Sequence, residues 1–415
     1  MQEILSLRKL PGVKLQPNGQ LSLGYGWSTV SDAGPKRETH KRYSQMQLQL
    51  KRGEQMDSRE YKTNLPKWLN DLIFDQLGAS YSPGDTRYQY TRDLKPDEVK
   101  VYLGTYFPRS YCEAFCIAEN LFRNTCYRSF WNDKLSPDTE INILDIGCGS
   151  GGEIIGLLDA LRCLYPSFRI NIYAFDGNQA SLDCMKYIAD SYKARFNSVI
   201  NVVAKFHGID SESDLLSMAN DENVRNTMFD FILCCKTCSE LMDKKVITSP
   251  FQRVAETFSG LLTCIGLMLI IDVTLKSGDD VWLPYAMNGE LNSFARSQNA
   301  FSTLIPKPCG KHPQCCCNCY TKQIFNVSHS KASCDTSKVC YRVICWNFLR
   351  ELMIPDSVMN VRQIIDPDKY FSPRNESGNG GVCCHSGGSD IADAFNINLT
   401  PAEIPRQPVV LTGLL

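Results

Sequence analysis

From Ile141 to Ile146 the chain reads Ile-Asn-Ile-Leu-Asp-Ile. It then enters a glycine-rich turn, Gly147-Cys148-Gly149-Ser150-Gly151-Gly152. A helical pattern from Glu153 to Leu164 follows. A short apolar strand that ends in glycines and opens a helix is the unit from which open α/β sheets are built. The unit recurs. RINIYAF precedes a helical stretch from Asn178 to Arg195, and SVINVVAKF and MFDFILCC are further strands. Pro250 to Cys264 is helical, and GLMLIIDV is a fifth strand. Strands this apolar are buried on both faces. The fold class is therefore α/β, a doubly wound and mostly parallel sheet.

At 415 residues there is room for two or three domains. Lysine plus arginine number 44 against 45 acids, which excludes a uniformly basic nucleic-acid coat. No apolar run approaches the ~18 residues that span a bilayer, so no membrane partner is expected. The N-terminus has no secretory pattern. With 20 cysteines and no leader, a reducing compartment is expected, cytoplasmic or mitochondrial, and clustered thiols there favour metal over disulfides.

Ahead of the strands, Pro66 to Leu77, Asp97 to Tyr106 and Arg109 to Phe122 have helical spacing. Cys112 and Cys116 lie four apart on the last of these. They could clasp a metal, but core packing is the reading preferred. Residues 1–56 carry nine bases and four acids, with a short hairpin expected at Gly19 to Ser28. From 301 to 340 the strand rhythm is lost, and VCYRVICWNFL reads as a late strand returning to the sheet.

The turn carries the chemistry. Gly147 and Gly149 let a ligand approach the backbone at the end of a strand, where open α/β sheets bind nucleotides. Asp176, 31 residues after Asp145, ends the second strand and can take both hydroxyls of a ribose. Asp210 follows the third strand and could meet an adenine amino group. These residues resemble the Rossmann-like class I S-adenosylmethionine (SAM) methyltransferases. Asp145, Gly147, Gly149 and Gly151 match that family's D-x-G-x-G-x-G turn, with Cys148 between the first two glycines. Gly147-x-Gly149-x-x-Gly152 also satisfies a dinucleotide fingerprint. The aspartate two residues before the first glycine tips the choice to SAM. The resemblance implies SAM as cofactor, held by Asp145, Gly147, Cys148, Gly149, Gly151, Asp176 and Asp210.

After the fourth strand comes Cys234-Cys235-Lys236-Thr237-Cys238-Ser239-Glu240-Leu241. RNA cytosine methyltransferases place a nucleophilic cysteine near here, preceded by proline. Cys238 follows Thr237 instead, so the match is poor, and the catalytic residues stay unassigned.

Eight cysteines fall between Cys309 and Cys345. Thiolates bind zinc or an iron–sulfur cluster, and a metal can organise a segment that has little core of its own. The ligand set chosen is Cys309, Cys315, Cys319 and Cys334, with Cys340 and His312 as substitutes. Free structural cysteines are the alternative.

The order of parts is similar to a bacterial and mitochondrial family of methyltransferase-like proteins bound to the small ribosomal subunit. Arg109 with Tyr111 compares with a segment of its helical lead-in. Ser239-Glu240-Leu241 compares with a later element. Pro308-Cys309-x-x-His312-x-x-Cys315 compares with a segment that holds an iron–sulfur cluster. The likeness spans about residues 95–350 and implies ribosomal RNA, or the small subunit itself, as partner. From 305 to 350 seven bases face one acid, Asp335, a local charge suited to phosphate, although a solvated lysine-rich loop accounts for it equally.

The chain thus divides into a basic arm over 1–60, expected to be poorly ordered, and a helical lead-in over 61–135. A SAM-binding core follows over 136–300, then a Cys-rich insertion with a returning strand over 301–350. A tail over 351–415 is expected to be largely disordered. The function expected is SAM-dependent methylation, with RNA as acceptor. The alternatives are a SAM- and metal-binding ribosome-assembly factor, or a small-molecule or protein methyltransferase with a Cys-rich lid.

Overall fold

The computed structural model describes residues 60–134, 139–165, 168–279, 281, 283–298, 300–305 and 323–353, together with 13–15 and 21–23. Residues 1–54 form one unit and 55–415 a second. In the first, β1 (Val13–Leu15) pairs antiparallel with β2 (Leu21–Leu23). These strands lie at 13–15 and 21–23 rather than within the Gly19 to Ser28 hairpin expected, and 24–28 lie outside the described residues. The rest of the arm and the tail beyond 353 lie outside the described residues.

The second unit is built on a nine-stranded sheet. In chain order its elements begin with β3 (Glu60–Asn64), α1 (Lys67–Asn70), α2 (Pro96–Thr105), α3 (Phe107–Arg123) and α4 (Thr125–Lys134). The alternating core follows as β4 (Glu140–Ile146), α5 (Gly152–Leu164), β5 (Arg169–Asp176), α6 (Gln179–Phe196) and β6 (Val199–Phe206). It continues as α7 (Glu212–Ala219), β7 (Phe229–Cys235), α8 (Thr237–Asp243), α9 (Pro250–Phe258) and β8 (Leu262–Val273). The chain closes with α10 (Leu283–Ser297), β9 (Phe301–Ile305), β10 (Gln323–His329), β11 (Ala332–Trp346) and α11 (Asn347–Met353).

Across the sheet the order is β3-β10-β11-β8-β7-β4-β5-β6, with β9 paired to β11. The pairs from β8 to β6 are parallel, whereas β11 runs antiparallel to both β8 and β10. This is the doubly wound, mostly parallel sheet expected. Its strand order reverses at β4, so the crevice for a ligand opens at the C-terminal ends of β4 and β7.

Alternation along the strands feeds two cores, one on each face. Ile141 and Ile143 of β4 pack with α3 and α5, whereas Leu144 and Ile146 pack with α8 and α9. The helical lead-in belongs to the first of these cores. Leu103, Phe107, Tyr111 and Trp131 are buried in it beside Ile143 and Phe231. Two glycines of α5 permit that approach. A Cβ on Gly156 would stand 2.3 Å from the Tyr111 carbonyl oxygen, and one on Gly152 would stand 2.7 Å from that of Phe107. Cys112 and Cys116 are buried in the same core, as packing predicts.

The segment from 301 to 340 is not coil throughout. It supplies β9, β10 and the start of β11, leaving 306–322 outside the described residues.

Candidate cofactor cleft and its neighbour

Gly147, Gly149 and Gly151 all adopt left-handed backbone, with φ of 73°, 51° and 81°. A side chain there is strained. The turn is stitched to β5, since the N–H groups of Gly147 and Cys148 both donate to the Phe175 carbonyl, at 2.8 and 3.0 Å. Space is also tight. A Cβ on Gly147 would lie 2.1 Å from Thr237 Oγ1, and one on Gly149 would lie 2.7 Å from the Tyr102 hydroxyl.

Asp176 sits at the end of β5. Its carboxylate accepts from the backbone N–H of Gly149 at 2.7 Å and of Asn178 at 2.8 Å. Burial pushes its pKa up to about 6, against the lowering effect of those two donors. Asn178 caps α6 by accepting from the Ser181 N–H. Its amide donates to the carbonyls of Thr91 and Leu94, which ties the segment 89–94 across the strand ends.

That segment was invisible as a site in the sequence. Thr91 points its hydroxyl at Asp176, 3.4 Å away. Arg92 donates to the Ile209 carbonyl at 3.1 Å and pairs with Asp210 at 2.5 Å. Gly147, Asp176, Thr91, Arg92, Tyr102 and Lys236 are among the walls of the resulting cleft, which has about 50 Å³ open. Small-molecule sites are commonly ~300–1,000 Å³, so the cleft is smaller than most.

The predicted residues divide accordingly. Gly147 and Asp176 line the cleft. Gly149 and Gly151 shape the turn, and the Cys148 thiol is buried and raised by that burial. Asp145 is fully buried, and neither of its carboxylate oxygens has a hydrogen-bond partner. Burial raises its pKa well above the ordinary range, and Glu153, in the first turn of α5, is pushed up to about 8 for the same reason. Asp210 is exposed and pairs with Arg92 through one carboxylate oxygen.

At the end of β7, Cys235, Lys236 and Thr237 line the cleft, and Cys238 does not. Cys238 is buried, its sulfur 3.8 Å from that of Cys234, and burial raises its thiol far from the thiolate a nucleophile needs. Lys236 takes left-handed backbone, φ 63°, a strained arrangement for a non-glycine. Its ammonium donates to Glu113 at 2.6 Å and to the Ser110 hydroxyl at 2.9 Å. Burial alone would pull Lys236 down, but the Glu113 carboxylate holds it above its ordinary value.

Lys236 also faces a second, larger cavity of about 590 Å³ between α3, β8 and β11. Tyr106, Arg109, Glu113, Ser337 and Lys338 contribute to its walls. Arg109 is fixed there by Asp335, at 2.7 Å, which in turn accepts from the Tyr81 hydroxyl.

Of the metal ligands chosen, Cys309, Cys315 and Cys319 lie outside the described residues. Cys334 is exposed on β11 and bonds to the Asn326 side chain. The register Val327↔Asp335 puts it one residue nearer the hairpin tip than Asp335, about 17 Å along the strands from Gln323, where the insertion joins. The substitute Cys340 is buried in the core, its thiol donating to the Asp272 carbonyl at 3.5 Å. Among the described residues no three metal-ligating side chains cluster, and no helix is long and apolar enough to cross a membrane.

No family model and no curated protein matches the chain. Among solved structures it is similar to the plantazolicin methyltransferase BpumL in complex with SAH, at 12% identity over 58% of this chain and 89% of that one, TM-score 0.30. An SAH-bound methyltransferase of Podospora anserina gives 13% identity over 77% and 99%, TM-score 0.29. The rRNA methyltransferase aviRa from Streptomyces viridochromogenes gives 15% over 38% and 75%, TM-score 0.23. At such scores these likenesses decide nothing about the site.

Proposed function

We propose that the chain is a SAM-dependent methyltransferase acting on RNA. The observation that carries the cofactor is the turn with three left-handed glycines, joined through Gly149 to a buried carboxylate at the end of the next strand. Asp176 would accept from the ribose hydroxyls, and the backbone of 147–149 would lie against the nucleoside. When bound, SAM supplies a methyl group on a sulfonium, and the protein's task is to align an acceptor with it and keep water out.

Support for RNA is electrostatic. Lys331 and Lys338 are exposed, and Lys338 lines the larger cavity. Arg342, counted among the seven bases, is buried and bonds to Asn288. It is lost to any phosphate contact. Lys307, Lys311 and Lys322 lie outside the described residues. Ribosomal RNA of the small subunit is the target the sequence resemblance implies.

Calorimetry with SAM and with SAH tests the cofactor. Mass spectrometry of nucleosides from an unmodified ribosomal RNA transcript, incubated with protein and SAM, tests the acceptor. Binding of neither SAM nor SAH would overturn the reading. Binding without methylated nucleosides would leave the assembly-factor alternative.

A further inference from the structure

The larger cavity has a feature that the cofactor cleft does not explain. Glu113 projects from α3 into its wall, is 1% exposed, and gives one carboxylate oxygen to Lys236. The other oxygen, Oε1, is buried without a hydrogen-bond partner. Ser337, across the same cavity, likewise keeps its hydroxyl unpaired. Leaving a buried carboxylate oxygen unmet is costly, so a donor is called for in the ligand. Tyr90 and Tyr106 give the cavity aromatic walls, and Val273, Leu275 and Val339 give it apolar ones. Lys338 stands exposed on its rim. Gln89, Tyr90 and Lys236 line both the cavity and the cofactor cleft, so the two spaces lie side by side across these side chains.

We propose that this cavity receives a nucleobase turned out of its strand, which donates an N–H to Glu113 Oε1. This rests on the methyltransferase reading and names the acceptor group. Flat heterocycles stack on aromatic walls, and enzymes that modify a base take it into a fitted pocket. Lys338 then lies where the attached phosphate leaves the pocket. The transfer balances with Glu113 as proton acceptor. The base nitrogen forms a bond to the methyl carbon, the carbon–sulfur bond breaks, and sulfur keeps the electron pair as a neutral thioether. The N–H proton passes to Glu113 Oε1. Lys236 is a positioning residue: it holds the other carboxylate oxygen and keeps Glu113 turned toward the base.

The test uses the full chain with SAH present, titrated with AMP, CMP, GMP and ribose 5-phosphate. At least one nucleotide is expected to bind, and ribose 5-phosphate is not. In Glu113→Gln the amide oxygen turns to the Lys236 ammonium and an N–H₂ faces the base, so nucleotide binding should weaken about tenfold or more. SAH affinity should be unchanged. Lys338→Glu, on the exposed rim, should weaken nucleotide binding several-fold. Failure of every nucleotide to bind, or equal binding by wild type and both variants, overturns the proposal. Loss of SAH binding in the wild type would instead overturn the cofactor reading.

Discussion

The backbone N–H of Gly149 donates to the carboxylate of Asp176 at 2.7 Å, across 27 residues of chain. The bond fixes the glycine turn after β4 against the end of β5. It does not exhaust the carboxylate, which has about four lone-pair sites, so ribose hydroxyls can be accepted beside the two backbone donors.

Asp176→Asn should therefore weaken SAM binding by roughly 1.5–3 kcal/mol, because a charged acceptor becomes a neutral group with one N–H₂ end. In the wild type the carboxyl titrates near pH 6. Binding that needs the anion should fall as pH drops through that value, and the Asn variant should show no such fall. Calorimetry between about pH 5 and 8 reads both effects. Equal affinities at the upper end would remove Asp176 from the ribose.

Gly149→Ala should lower stability through two separable costs. Left-handed backbone costs an alanine ~1–2 kcal/mol, and the new Cβ meets the Tyr102 hydroxyl at 2.7 Å. Tyr102→Phe removes that oxygen. In the double variant urea unfolding should recover much of the steric part, though the ring carbons stay 3.2 and 3.3 Å from the new Cβ, and keep the backbone part. Simple additivity of the two single changes would mean that the turn moves instead of Tyr102.

Glu153 makes a prediction about pH. Its folded pKa, about 8, stands above its ordinary 4.5 because of burial. Across that window the folded state holds a proton that the unfolded chain has released, so stability falls as pH rises. Glu153→Gln carries no such penalty. Its gain over the parent should grow with pH through the window to a few kcal/mol and level off above about pH 8. A gain independent of pH would place the Glu153 carboxyl in contact with water.

The core was legible where local signals agree. In β4 the apolar pattern, the glycines and the following helix all point one way, Asp176 fell at the end of the next strand by the same pattern, and Asp145 was singled out by the resemblance of its turn. The stretch from 301 to 340 hid its strands because their reasons are distant. Phe325 and Val327 of β10 pair with Tyr61 and Thr63 of β3, and the buried His329 lies between the rings of Phe74 and Tyr81. Nothing local marks such residues as strand. Thr91 and Arg92 were missed for the same reason, since Asp176 lies 85 residues from Thr91. Lys236 stood in a segment already noted for the acceptor side. Cysteine chemistry drew attention to Cys238, while the left-handed backbone at Lys236 leaves no mark in composition.

The cleft around Asp176 is narrowed by Arg92, and this yields the last prediction. The Arg92–Asp210 pair is partly exposed, 28% and 65% at the two side chains, so its worth to the fold is at most about 1 kcal/mol. Arg92→Ala should leave the unfolding midpoint nearly unchanged. The neighbouring ties, Asn178 to the carbonyls of Thr91 and Leu94, remain. Arg92 holds the Oδ1 oxygen of Asp210, so an adenine amine donating to that oxygen would have to displace the guanidinium; removing it lifts that cost, and SAM affinity should then rise about fivefold for ~1 kcal/mol. Asp210→Ala in the Arg92→Ala background then isolates the carboxylate. If Asp210 accepts from the adenine amine, the gain is lost. If the gain survives, Asp210 serves only to hold Arg92. Weaker SAM binding in Arg92→Ala itself would show that the guanidinium contacts the cofactor, and that segment 89–94 forms part of the site rather than its cover.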